Sequence, residues 1–173
     1  MRDLMIDLET LGLSSNSPVL SIGAVYFDTE TGELGEKFYI VLDLDEQLKN
    51  GRPANGNTVK WWMTQSTEAK SVFSSEFSSV NKGLSKFVGW MNSVNPDPFV
   101  WGNGSIFDIS TMENILTQYL YEVPWKFYKV MDLRTFGRFN SKGKPKVNKG
   151  TAHNALDDAI AQAQFVLDNY KKG

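Results

Sequence analysis

Five residues in three segments carry most of the chemistry this sequence can do: Asp7 with Glu9, Asp108, and His153 with Asp158. Asp7 and Glu9 sit two apart in an apolar run. On a strand, alternate side chains point the same way, so both carboxylates share a face while Leu4, Ile6 and Leu8 fill the other, with Cα atoms roughly 6.5 Å apart. Two carboxylates so placed can reach a common cation. A solvated edge strand would explain them equally well, although Asp is depleted within strands.

Asp108 closes the stretch Trp101-Gly102-Asn103-Gly104-Ser105-Ile106-Phe107-Asp108. One reading is structural: Ser105 caps a helix and Asp108, three residues on, completes the capping pattern and favours the helix dipole. The glycines on either side of Asn103 point elsewhere, to a backbone that lets something approach closely past a strand end, where open α/β sheets bind ligands. His153 is the single histidine of the chain. On a continuous helix it would lie roughly 140° from Asp158. With Asn154 as the N-cap, His153 falls in the preceding loop, free to face the same site as Asp158, which begins the inner face of the first turn. Thr151 competes as the cap, and that choice would weaken the geometry.

The elements that must position these groups follow from periodicity. Residues 4–8 have strand character, and strands near 19–27 and 37–42 are joined by the turn chemistry of Asp28-Thr29-Glu30-Thr31-Gly32. Gly, Pro and Asn mark a loop over 51–57, followed by a short helix with Val59, Trp62 and Met63 facing inward. Phe77, Val80, Leu84, Phe87, Val88 and Met91 form the apolar stripe of a longer helix. A strand at 99–101, a helix over about 106–120, a strand at 128–131, a short helix from Leu133 and a C-terminal helix through Leu156, Ala159, Ile160, Ala163, Val166, Leu167 and Tyr170 complete the chain. The order predicts an α/β fold, a mixed five-stranded sheet flanked by helices, as one domain over residues 1–173.

Composition sets the limits. At 173 residues, with 41% hydrophobic and 13% aromatic residues, the chain can bury one core, and disorder is not expected as its main state. Without cysteine, a metal must be bound through oxygen and nitrogen, and no oxidising compartment is called for. No apolar stretch spans a bilayer, and the first residues lack the pattern of a signal peptide, so a cytoplasmic location is expected. A net charge of -2 does not advertise a polyanion binder, yet Lys142, Lys144, Lys146 and Lys149, with Arg134 and Arg138 upstream, concentrate positive charge locally.

Taken together, Asp7-x-Glu9-Thr10, Phe107-Asp108 and His153-x-Ala155-x-x-Asp158 resemble the three motifs, in chain order, of the DEDDh 3'-5' exonucleases, whose fold is RNase H-like. Within that branch, Met5-Ile6-Asp7-Leu8-Glu9-Thr10-Leu11-Gly12, Thr58-Val59-Lys60-Trp61-Trp62 with Gln65, Trp101-Gly102-Asn103-Gly104 and His153-Asn154-Ala155-Leu156-Asp157-Asp158 are similar to a small phage and bacterial group related to exodeoxyribonuclease VIII and a mycobacterial exoribonuclease.

The resemblance implies that Asp7, Glu9, Asp108 and Asp158 hold two Mg²⁺ or Mn²⁺ ions and that His153 is the general base. A nucleic acid with a free 3' end, RNA or DNA, would release nucleoside 5'-monophosphates. Carboxylates suit hard cations, and imidazole as a class exchanges protons near neutrality. It further implies that Thr10 and Leu11 approach the terminal nucleotide, Leu11 as a wedge.

Trp61, with Gln65 on its face at i+4, could stack on a base, and core packing of Trp61 stands as the alternative; Trp62 is assigned to the core. Asp132 and Asp157 are expected to cap helices. Relatives that pair, together with surface aromatics, admit a homodimer. Two other functions stay open: an RNase H-type endonuclease, and a non-catalytic nucleic-acid or protein-binding module on the same fold.

Overall fold

The computed structural model describes residues 1–140 and 150–170. Five strands, β1 (Asp3–Thr10), β2 (Val19–Asp28), β3 (Glu33–Val41), β4 (Phe99–Gly102) and β5 (Val130–Asp132), form one sheet in the order β3-β2-β1-β4-β5. The first three make an antiparallel meander, and β4 and β5 add parallel to β1, so the sheet is mixed as expected. β1 lies at its centre. The helices are α1 (Leu44–Lys49), α2 (Gly56–Met63), α3 (Thr67–Lys70), α4 (Val80–Val94), α5 (Asp108–Gln118), α6 (Leu133–Asn140) and α7 (Ala155–Asn169).

The alternation of β1 divides the core in two. Leu4, Ile6 and Leu8 join Ile22, Ala24 and Tyr26 of β2 beneath Leu84, Phe87 and Met91 of α4 and Met112 and Ile115 of α5. Met5, Val25, Phe27 and Trp101 face the other way, under Leu133 of α6 and Ala159, Ala163 and Val166 of α7. Asp7 and Glu9 continue the row of Met5, so the sheet presents them toward α7. Among the described residues no helix is long and apolar enough to cross a membrane.

Several local expectations need correction. β3 begins at Glu33, four residues before its expected start, because β2 and β3 stay paired down to Asp28 and Glu33. Residues 127–129 form a 3-10 turn and the fifth strand starts only at Val130. Phe77 is exposed and precedes α4; its segment instead runs beside Leu42, bridging at Ser78. α5 spans only 108–118, with Ile106 and Leu120 in solvent. In α2, Val59 and Met63 are exposed, Met63 at 72%, and only Trp62 is buried. The helix rests on the cluster of Leu11, Leu20, Val41, Ala69 and Val72 through that one side chain rather than through a stripe. Lys142, Lys144, Lys146 and Lys149 lie outside the described residues.

Candidate active site

Asp7 and Glu9 face Gly23 and Ser21 across the β1–β2 ladder. Gly23 is the reason α7 can come so close. A Cβ there would stand 2.1 Å from the carbonyl carbon of Ala155 and 2.2 Å from the backbone nitrogen of Leu156. The first turn of α7 therefore lies on the sheet backbone, over the two carboxylates. Asn154 caps the helix, its Oδ1 accepting from Leu156 N at 3.1 Å and Asp157 N at 3.2 Å. Thr151 is not the cap. Its backbone N–H donates to Asp157 Oδ2 at 2.8 Å, so Asp157 ties the incoming loop to the helix start.

His153 occupies the loop position before the cap, in the left-handed region at φ 63°. That conformation is costly for a side-chain-bearing residue and is held here by the backbone N–H of His153, which donates to Asp158 Oδ2 at 2.9 Å. One ligand atom each of Glu9, His153 and Asp158 lie within 4.8 Å of one another. Two segments far apart in sequence thus meet at a single point.

Asp108 arrives from α5 as the first residue of that helix. Ser105 does not cap it: no side chain caps α5, and the backbone N–H of Ser105 donates instead to Asp132 Oδ2 at 2.8 Å. Asp132 also accepts from Thr135 N at 2.7 Å, the capping role expected of it, and so fastens the loop after β4 to the start of α6. Asp108 Oδ2 accepts from the backbone of Gly104 at 3.2 Å. Gly102 makes room, since a Cβ at that position would meet the Asp108 Cβ at 3.0 Å.

The electrostatics are those of crowded, buried carboxyl groups whose charge is opposed mainly by burial and by one another. Burial, the Asp108 carboxylate and then Glu9 push the Asp7 carboxyl well above the usual range. Burial, with Asp158 and Asp108 nearby, raises Glu9 to about 8. Asp108 rises to about 6 through burial, opposed by the Gly104 N–H and the Arg134 charge, and burial raises Asp158 as well. The ion pairs among the described residues lie elsewhere, at Asp28, Glu30 and Asp97. An all-oxygen donor set crowded into this space, with an imidazole beside it, fits hard divalent cations.

Trp61 and Trp62 flank the histidine. Trp62 is buried and donates from Nε1 to the Thr10 carbonyl at 2.9 Å, as a core residue at the base of the site. Trp61, 42% exposed, sets its ring 4.9 Å from that of His153. Gln65 donates to the Trp61 carbonyl at 3.0 Å. The side chain of Leu11 lies in the cluster around Trp62, while its backbone is held by Pro18 and Asn55; Thr10 Oγ1 donates to the Gly12 carbonyl at 2.7 Å.

Gln162 and Arg52 escaped the sequence reading, and Arg134 was read only as part of a local positive charge. Gln162, one turn beyond Asp158, donates from Nε2 to Asp7 Oδ1 at 2.7 Å; its i+4 spacing from Asp158 was a usable signal. Arg134 brings its guanidinium carbon within 3.7 Å of where a Gly104 Cβ would be, beside Asp108. Arg52, only 1% exposed, lies in a Gly, Pro and Asn loop where nothing marks it.

Over residues 2–168 the chain matches the family described as the 3'-5' exoribonuclease Rv2179c-like domain. It is 31% identical to the exodeoxyribonuclease of Enterobacteria phage T4, over 78% of this chain and 70% of that protein. Among solved structures it is similar to the zinc-bound E. coli exonuclease I complex with single-stranded DNA, with a TM-score of 0.65 and 16% identity, covering 95% of this chain and 39% of that one. It is also similar to the nuclease domain of 3'hExo, a DEDDh family member bound to rAMP, with a TM-score of 0.59 and 16% identity, covering 96% of this chain and 90% of that one. These structural likenesses establish the fold, an RNase H-like mixed sheet, and the sequence match establishes the lineage: the chain belongs to the Rv2179c-like 3'-5' exoribonuclease family.

Proposed function

We propose that this chain removes nucleotides one at a time from the 3' end of RNA or DNA, releasing nucleoside 5'-monophosphates. Asp7, Glu9, Asp108 and Asp158 hold two Mg²⁺ or Mn²⁺ ions in this reading. Bound there, the ions supply charge stabilisation to the attacking and leaving oxygens of an in-line displacement at phosphorus. The single observation that carries the reading is the convergence of Glu9, His153 and Asp158 ligand atoms within 4.8 Å, beside two further buried carboxylates.

The side chains divide the remaining work. His153 takes the proton from the attacking water as general base. Its ring leans on Trp61, whose exposed face stacks on a base of the substrate, with Gln65 steadying the end of α2 and the adjoining polar surface. Thr10 and Leu11 bring their segment against the terminal nucleotide, kept in place by the Trp62 bond to Thr10 and the Asn55 bond to Leu11.

A 5'-labelled single strand, offered as RNA, as DNA and as a duplex with a 3' overhang, with Mg²⁺ or Mn²⁺, tests this directly. The expected result is a ladder that shortens from the 3' end. Internal cuts would indicate an endonuclease, and an uncut substrate in all three forms would indicate a binding module.

A further inference from the structure

The buried face of α7 consists of Ala155, Ala159, Ala163 and Val166, with one exception, Gln162. Small apolar residues let the helix settle on β1 and β2. A glutamine among them is 5% exposed and places an amide where another alanine would avoid burying a polar group. Its Nε2 reaches Asp7 Oδ1 at 2.7 Å, the geometry of a strong bond to a carboxylate, while its Oε1 has no hydrogen-bond partner among the described residues. An acceptor left unpaired in this way is unfavourable.

An ionised carboxylate only accepts, and the ionised form of Asp7 is the one an ion would take, so the nitrogen end of the amide faces it. Both ends are bonded to one carbon, and Oε1 therefore lies close to the same carboxylate. Asp7 can otherwise rotate about its Cβ–Cγ bond. A donor fixed to Oδ1 stops that rotation and reserves Oδ2. The donor comes from the same helix, one turn on from Asp158, so the docking of α7 delivers a carboxylate and the group that orients its neighbour in one movement.

We infer that Gln162 is a positioning residue for the ion site: it holds one oxygen of Asp7 so that the other is presented to a divalent cation, and its free Oε1 is an acceptor for water entering with that ion. The inference rests on the proposed ion-binding role of Asp7. Partners of this kind, one bond removed from the ion, typically change metal affinity about 10–100-fold when removed.

Calorimetric titration of Mn²⁺ into the protein without nucleic acid reads this independently of catalysis. Gln162→Met keeps the length and loses the donor; Gln162→Ala restores the alanine face should the methionine fail to fold. Gln164→Met, on the exposed side of the same helix, is the control. The expected result is a Mn²⁺ Kd raised about 10–100-fold in either Gln162 variant, with Gln164→Met at the unsubstituted value. A variant that melts at a different temperature but binds Mn²⁺ with unchanged Kd makes Gln162 a packing residue and overturns the inference alone. If the unsubstituted protein takes up no Mn²⁺, the ion-binding reading of the whole site falls, and this inference with it.

Discussion

The ring of Trp61 stands edge-on to the ring of His153, with centroids 4.9 Å apart and planes crossing at 83°. Trp62 backs the pair, 6.5 Å from the same imidazole. His153 sits at φ 63° on a loop, and both rings lie beside its side chain. An edge-to-face pair contributes about 0.5–1.5 kcal/mol. Trp61→Ala should lower kcat by roughly 2- to 10-fold on that account, and raise KM through the lost base stack. Trp61→Phe should recover most of kcat. Steady-state kinetics separates the two effects, and a Trp61→Ala enzyme with unaltered kcat would rule out the support of His153.

Gly23 offers a test that touches no carboxylate. A methyl group there would collide with the backbone of Ala155 and Leu156 near 2.1–2.2 Å, and backbone cannot swing aside as a side chain can. Gly23→Ala should cost about 1–3 kcal/mol in chemical denaturation. It should also reduce cleavage strongly, because the start of α7 is lifted off β2. A fully active Gly23→Ala protein would mean that α7 docks less tightly than described.

Acid should stabilise the ion-free protein. The folded-state values of Asp7, Glu9, Asp108 and Asp158 all lie above those of an unfolded chain, so the native state holds these protons more tightly. Their stabilising contribution is complete below the unfolded range near pH 4 and is lost as pH climbs through about 6 for Asp108 and about 8 for Glu9. In EDTA, Tm should fall between pH 5 and pH 9. Added Mn²⁺ should raise Tm more at pH 8 than at pH 5, since it binds the ionised forms. A Tm in EDTA that climbs across this interval would contradict the crowding of the four acids.

Arg52 predicts a stability defect at a distance from the site. Its guanidinium donates to the carbonyls of Ser15 and Ser17 and to the side chains of Asn114 and Gln118, bracing the loop after β1 against α5 with no carboxylate partner among the described residues. Burial lowers it to about 10, still charged at neutrality. Arg52→Met should lose on the order of 3 kcal/mol in denaturant unfolding. A loss below about 0.5 kcal/mol, the ordinary range for surface changes, would show that the loop holds without it.

How much of this was legible in the sequence depends on the range of the interaction. The strand alternation that puts Asp7 and Glu9 on one face is local, and the Asn154 cap with Asp157 and Asp158 behind it is local too; both were readable from spacing. Ser105 misled because a serine three residues before an acid is a capping pattern, whereas the structure spends its backbone N–H on Asp132, 27 residues away. Val59 and Met63 misled because periodicity reports an amphipathic helix without saying how little of it touches the core. Arg52 was illegible: its acceptors are backbone carbonyls and amides from segments 35 to 66 residues distant, and no residue type in the sequence advertises a carbonyl as a partner.

The central place of β1 has a consequence for how the molecule breathes. Transient openings of a sheet start at its edges and at weakly packed loops, and amides on strands paired on both sides exchange with solvent last. β3 and β5 are the edges here, and β1 is paired with β2 and β4. The doubly paired stretch of β1 is Asp3 to Met5, and Asp7 and Glu9 extend it on the β2 side alone, whereas His153 stands on the loop that precedes α7. Partial unfolding that releases the start of α7 leaves Asp7 and Glu9 on the sheet and carries His153 and Asp158 away from them together.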